Sequence, residues 1–277
     1  MNRNQDYILR LPVLAALLIW ALLCDCPAWA QNLPETNLWQ SVEQGSRSRA
    51  QSETWVRPDA FRSFNLHHSR LRSLLGRAPR ESSQVVASSG AVISLPLSDG
   101  TPARFRFVEA PVMHPALAAR FPEIKTYLGR GIDDPAATVR FDLTPAGFHA
   151  QILSPRGAVY IEPYLRGNTN LHAVYARRDL RPSAPDFQCR TDGTTTAMAL
   201  SSSAEPLVMV SGNLRTYRLA CAATAEYTRY FGGTVSGGLA AIVTAINRVT
   251  GIYESELGIR LELVAESDLI IYTNTVT

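Results

Sequence analysis

Apolar residues recur at three- and four-residue steps over Leu239, Ile242, Val243, Ile246, Val249, Tyr253 and Leu257. That spacing lays them along one face of a helix. Thr234 or Ser236 can cap its start with a hydroxyl, and Gly258 supplies its stop. Glu254 and Glu256 fall in the last turn, where the helix dipole opposes them, so propensity alone does not hold this end. Residues 215–222 before the helix read as a strand. After it, Ile259, Leu261 and Leu263 alternate with Arg260 and Glu262, the period of a half-buried strand. Residues 269–272 are apolar throughout and predict a third strand, central in its sheet. A strand, a helical crossover and a second strand favour a right-handed parallel pairing, the start of an α/β sheet.

Upstream, the pattern shortens. Phe61, Phe64 and Leu66 open an apolar run, and Leu71, Leu74 and Leu75 predict a short helix that Gly76 and Pro79 stop. Residues 91–97 and 104–110 flank Ser98-Asp99-Gly100-Thr101, a strong hairpin signal. One or two helical turns are expected over 115–121. Strands follow over 138–143, 147–153 and 157–161, divided by the turn sequences Thr144-Pro145-Ala146-Gly147 and Ser154-Pro155-Arg156-Gly157. Val139, Phe141 and Leu143 share one face of their strand, and Phe148, Ala150 and Ile152 share another. Short strands joined by tight turns predict an antiparallel β-rich meander with short helices, a domain separate from the α/β tail. Residues 31–53 are polar without a sustained period and read as a loosely ordered lead-in.

Charge narrows the classes of partner. The formal net charge of +3 comes from 27 basic and 24 acidic residues spread along the chain. Nucleic-acid binding needs clustered basic residues on a recognisable module, and no such cluster occurs. Arg3 and Arg10 precede an apolar run over 11–23, and Ala28-Trp29-Ala30 offers a small-x-small cleavage site, which together read as a secretory signal peptide over 1–30. The run is short for a membrane helix, so no membrane attachment is expected after cleavage at Ala30, and the chain is expected to be secreted or periplasmic. Cleavage removes Cys24 and Cys26 and leaves Cys189 and Cys221. An oxidising compartment makes a disulfide one reading of that pair; a cysteine switch at a metal and two independent thiols are the others.

Candidate chemistry is sparse. The five histidines are His67, His68, His114, His149 and His172. Adjacent residues on a helix diverge by about a hundred degrees, which makes His67-His68 a poor chelate and suits surface or capping roles. His114 precedes Pro115 and reads as a helix-start residue. His149 lies between Phe148 and Ala150 and points to the opposite side of its strand, as an exposed or hydrogen-bonded sheet residue. Asp133-Asp134-Pro135 lacks the spaced oxygen ligands of a calcium loop and reads as a solvated turn.

The run RTYRLACAATAEYTRYFGGTVSGGLAAIVTAINRVTGIYESELGIRLELV, followed by DLIIYTN, resembles the opening of the catalytic domain of secreted bacterial reprolysin-like zinc metalloproteases, adamalysin-type members of the metzincins. PVMHPALAARFPEIKTYLGRGIDD and GFHAQILSPRGAVYIEPY resemble the pro-region of the same family. Small polar residues without an apolar period over 191–205, after Arg177-Arg178-Asp179, read as a flexible linker (186–210) open to an activating protease; with the signal peptide (1–30), the resemblance then implies a β-rich pro-region (31–185) and the first part of an α/β catalytic domain (211–277). It also implies zinc in the full-length enzyme and protein or peptide substrates. Metzincins hold zinc with His-Glu-x-x-His, the glutamate acting as general base. No His-Glu pair occurs in this sequence, so no catalytic, cofactor or metal residue is assigned, and the chain is expected to be a truncated, inactive portion of a protease that binds no zinc itself. Whether it is an enzyme as it stands is therefore left open. The acidic residue through which some reprolysins bind calcium corresponds most nearly to Arg218, so that site is not carried over. The alternative is a non-enzymatic secreted β-rich module that binds a partner or inhibits a protease.

Overall fold

The computed structural model describes residues 38–42, 53–81, 85–180 and 214–274. Residues 1–30, expected to be a signal peptide, residues 186–210, expected to be a linker, and Cys189 lie outside the described residues.

Nine antiparallel strands form one sheet: β1 (Trp39–Val42), β2 (Arg62–Leu66), β3 (Val92–Pro96), β4 (Pro102–Glu109), β5 (Lys125–Gly131), β6 (Thr138–Thr144), β7 (Gly147–Ser154), β8 (Gly157–Leu165) and β9 (Asn168–Ala176). Their order is β1-β2-β9-β8-β7-β6-β5-β4-β3, a meander from β3 to β9 whose far side is extended by β2 and β1. Trp39 in β1 donates from its indole nitrogen to the Ser94 carbonyl in β3 at 3.1 Å, so the two outermost strands meet and the sheet curls nearly into a barrel. The expected hairpin joins β3 and β4. At its turn the Asp99 carboxylate accepts from the Thr101 amide and hydroxyl, and Gly100 takes a φ of 91° that a side chain would resist. Among the described residues, three short helices decorate the sheet: α1 (His68–Leu75), α2 (Val85–Ser88) and α3 (Pro115–Arg120). Strands β1, β2, β5 and β9 were not among the sequence expectations, and β1 falls within the stretch expected to be loosely ordered.

The two triplets noted in sequence face each other. Val139 pairs with Ile152, Phe141 with Ala150 and Leu143 with Phe148, so both lie on one side of the sheet. There they join Phe105, Phe107, Tyr127, Ile161 and Val174, with Leu71 and Leu75 of α1, in the first hydrophobic core.

The C-terminal part runs β10 (Arg215–Leu219), α4 (Ala225–Tyr230), α5 (Val235–Leu257) and β11 (Ile259–Leu263). β10 and β11 pair in parallel from Arg215–Ile259 to Leu219–Leu263, as the strand-helix-strand reading requires. The Thr234 hydroxyl accepts from the Gly237 amide at 3.0 Å to cap α5, and Gly258 ends it with a left-handed φ of 64°. The third strand is a correction. Ser267–Ile270 forms a 3-10 turn, and Ile271 alone makes a parallel bridge, to Ala223. The Ser267 hydroxyl donates back to the Val264 carbonyl and Arg120 grips both Asp268 and the Ala265 carbonyl, which hold the chain in a turn and leave Leu269 73% exposed. A second core is shared between the two parts: Val112, Met113, Leu117 and Ile124 pack with Ala223, Leu239, Ala240, Ile242, Val243, Leu263 and Ile271.

Candidate functional site

The side of the sheet away from the first core is covered by α5 and is polar. Period-two alternation puts Arg140 and Asp142 of β6, His149 and Gln151 of β7, and Glu162 of β8 on that side, all buried. From the helix come Thr244, Asn247, Arg248, Gly251 and Glu254, whose steps place them on one helical face. A Cβ on Gly251 would stand 2.7 Å from the Arg140 side chain, so glycine is what lets helix and strand approach here.

Every charge in this layer has an opposite neighbour. Arg248 pairs with Glu162 at 2.7 Å, and the Tyr175 hydroxyl donates to the other Glu162 oxygen at 2.9 Å. Arg140 and Arg260 both pair with Glu254, and Arg260 also meets Glu81 through two hydrogen bonds of 2.7 Å. These cations explain how Glu254 tolerates the last turn of α5. The Asn247 amide donates to the Phe141 carbonyl at 3.1 Å, tying the helix to the backbone of β6. Burial alone would raise the Glu162 carboxyl. The Arg248 charge, the His149 charge and the hydrogen bonds from Tyr175 and Arg248 outweigh it and hold the group below its usual range. Burial likewise works against the Arg248 cation, but Glu162 and Asp142 raise its pKa further.

Asp142, His149 and Thr244 form a compact trio that invites comparison with a nucleophilic triad. In such a triad the imidazole accepts the nucleophile's proton. Here Thr244 donates directly to Asp142 Oδ1 at 2.9 Å, and His149 Nδ1 meets the same oxygen at 2.9 Å. Hydroxyl and imidazole therefore compete for one acceptor, and the hydroxyl's proton is directed at the carboxylate instead of the imidazole. What the trio does is hold α5 against β6 and β7.

The other candidate residues stay apart. His68 Nε2 meets the Thr169 carbonyl at 2.7 Å, His67 precedes α1 without a capping bond, and His114 Nδ1 accepts from the Ala116 amide at the start of α3. His149 is buried and hydrogen-bonded. His172 stands edge-on to Trp39 inside the first core, and burial lowers its pKa to about 4. Among the described residues, no three His, Cys, Asp or Glu side chains gather where they could hold a metal ion. Asp133 pairs with Arg104 at 2.6 Å and Asp134 caps the Ala136 amide, so the acidic turn is spoken for by its own neighbours. Cys221 is half-buried against the second core and has no disulfide partner among the described residues, which do not include Cys189. Apart from His149, read as an exposed or hydrogen-bonded sheet residue, and Glu254, noted at the helix end, the members of the polar layer were missed in sequence because each lies on an alternating strand or helical stripe that reads as a solvated face.

Residues 213–277 match the family model of metallo-peptidase family M12B, reprolysin-like. This segment, from the approach to β10 onward, is similar to a reprolysin-like metalloprotease, in agreement with the resemblance in the sequence. No curated protein matches the chain.

Proposed function

We propose that this chain is the signal peptide (1–30), pro-region (31–185), activation linker (186–210) and opening of the catalytic domain (211–277) of a secreted reprolysin-like zinc metalloendopeptidase zymogen. The observation that carries the reading is the family match over 213–277, which falls on a capped helix between two parallel strands. In the full-length enzyme, zinc would polarise a peptide carbonyl of a protein substrate and activate the attacking water. The residues present do not fit that metal: Asp142 and His149 are spent on each other, His114 caps a helix, His68 holds a carbonyl and His172 is walled in by Trp39 and Phe148. No hydrolytic step is therefore assigned to them. Their role is positional, with the sheet holding α5 and β11 in place.

Reading the genomic DNA in frame past the codon for Thr277 tests this. The expected result is His-Glu-x-x-His with a third histidine downstream. A verified stop codon at that point would overturn the protease reading in favour of a binding or inhibitory module. In the complete protein, activation is expected to cut between residues 177 and 211. A mature N-terminus upstream of Tyr175 or inside β10 would move the domain boundary.

A further inference from the structure

Between β4 and β5 the chain leaves the sheet, runs from Ala110 to Ile124 and returns. Its neck is closed: Lys125 pairs with Glu109 at 2.8 Å, the Thr126 hydroxyl donates to the Ala110 carbonyl at 2.7 Å, and the same hydroxyl accepts from the Val112 amide at 3.2 Å. The excursion is thus presented by the sheet as a formed unit, with α3 capped at its start by His114.

Its buried side chains meet the C-terminal part. The His114 amide donates to the Leu263 carbonyl at 2.9 Å, and the Leu263 amide donates to the Val112 carbonyl at 2.8 Å, adding a parallel bridge to the edge of β11 away from β10. Val112, Met113, Leu117 and Ile124, all buried, fill a seat made by Leu239, Val243, Leu263 and Ile271. At the rim, Arg120 makes hydrogen bonds of 2.6 and 3.2 Å to the two Asp268 oxygens, and Glu123 accepts from the Ser236 hydroxyl at 2.9 Å.

The other contacts between the parts, among the described residues, differ in kind. The layer under α5 is built of groups that water would solvate equally well on separation, so it sets register more than strength. Half-buried Arg166 lies 3.8 Å over the Tyr230 ring and donates to its carbonyl, and Trp55 packs on Tyr230 and Phe231 beside it, a partly exposed aromatic rim without main-chain pairing. Among the described residues, only the 112–124 segment combines dry apolar burial with main-chain pairing.

We infer that residues 112–124 are a docking latch, and that through it a chain cut within the 186–210 linker stays together as a noncovalent pair. The latch deepens the pro-region reading, since it names the contact by which that region keeps hold of the reprolysin-like segment.

The test uses the full chain with a site-specific protease sequence placed within 186–210, cut and then run on a sizing column at physiological and at high salt. The nicked wild-type pair should travel as one species at both. Nicked Leu117→Asp should separate, provided that the uncut variant still unfolds cooperatively. If that variant fails to fold, nicked Met113→Ala decides, with association weakened roughly tenfold. A nicked wild-type pair that falls apart, or latch variants that associate as tightly as wild type, would overturn the latch. Association is read without any activity, so a stop codon after Thr277 leaves this result standing, and a pair that falls apart leaves the protease reading standing.

Discussion

Phe141 and Asp142 are neighbours in β6 and point to opposite sides of one sheet. Phe141 is fully buried and lies flat on Tyr127, with ring centroids 4.8 Å apart and planes inclined by 12°. Asp142 is 1% exposed and accepts hydrogen bonds from Thr244 and His149. Both sides are dry, one by excluding polar atoms and the other by pairing them. The difference matters because apolar burial gives net stability wherever it occurs, whereas a buried charge pair roughly cancels its own desolvation. The apolar side would tolerate a shifted helix poorly but continuously. On the polar side, any shift of α5 strands a charge.

The comparison breaks first, and with the largest effect, on paired removal. Phe141→Ala should cost about 3–5 kcal/mol, because it deletes a buried ring and leaves a cavity. Glu162→Ala should cost about 2–4 kcal/mol, since Arg248, its side chain 23% exposed, is left without its carboxylate. Only the second loss has a remedy. The double variant Glu162→Leu with Arg248→Met should recover to within about 1–2 kcal/mol of wild type, as an apolar pair replaces an ionic one. Urea midpoints at unchanged m-value measure all of these. If the double variant stays as unstable as Glu162→Ala, the polar layer contributes net stability of its own and the contrast between the sides fails.

Acid should sort the two sides in an unexpected order. His172 belongs to the apolar side, where burial and, secondarily, the neighbouring His149 and His68 charges lower its pKa from 6.5 to about 4. Between those values the unfolded chain binds a proton that the folded one refuses, so stability falls as the pH drops through that window, by about 3 kcal/mol in all. Glu162, on the polar side, has a depressed pKa. Its contribution is complete above the ordinary carboxylate value of about 4.3 and is lost only as the pH falls below it. His172→Gln should flatten the stability profile in the upper window and Glu162→Gln in the lower one. Urea midpoints followed from neutral to acid pH would show this, and a His172→Gln profile as steep as wild type would remove the histidine from the account.

What the sequence made legible follows from how local each signal is. The limits of α5 were readable because Thr234 and Gly258 act within a turn of their own positions. The β3–β4 hairpin was readable because Asp99 and Gly100 carry its geometry themselves. β1 was not, since its burial depends on Trp39 reaching Ser94 in a strand far along the chain. β5 contains Gly129 and Gly131, which weaken a strand pattern. A Cβ at Gly129 would lie 2.8 Å from Val139, and packing across the sheet is invisible to periodicity. The 269–272 run failed for the opposite reason: its apolar residues suit a strand, but Arg120, distant in sequence, takes Asp268 and the Ala265 carbonyl and holds the preceding turn. The polar layer is the hardest case. Arg140, Asp142, His149 and Glu162 on alternating strands, and Arg248 and Glu254 on a helix, look like two solvated faces until each is seen to cover the other.

A smaller effect sharpens the role of the helix itself. Asn247 is buried, and its amide reaches the Phe141 carbonyl, so one hydrogen bond links the polar side to the backbone that carries the apolar one. Asn247→Ala should destabilise by about 1–3 kcal/mol, because the carbonyl loses its side-chain donor in a place water does not readily enter. Asn247→Asp should be worse, since it presents an oxygen where a donor is needed and adds a charge to a layer already holding Asp142, Glu162 and Glu254. Equal midpoints for the two variants would mean that the lost bond is the whole effect and that the charge finds a partner.

The smallest effect separates local from tertiary control of α5. Thr234 caps the helix from an exposed position, with its hydroxyl 3.0 Å from the Gly237 amide, and touches neither side of the sheet. Thr234→Ala should therefore cost about 1 kcal/mol, the ordinary worth of a cap. If α5 were held mainly by its own propensity, this loss would rival that of Asn247→Ala. If the sheet holds it, the cap variant should leave amide exchange in the middle of the helix slow and speed it only in the first turn. Exchange that quickens along the whole helix would show that the polar layer does not fix α5, and would place the hold in its local sequence and in the second core.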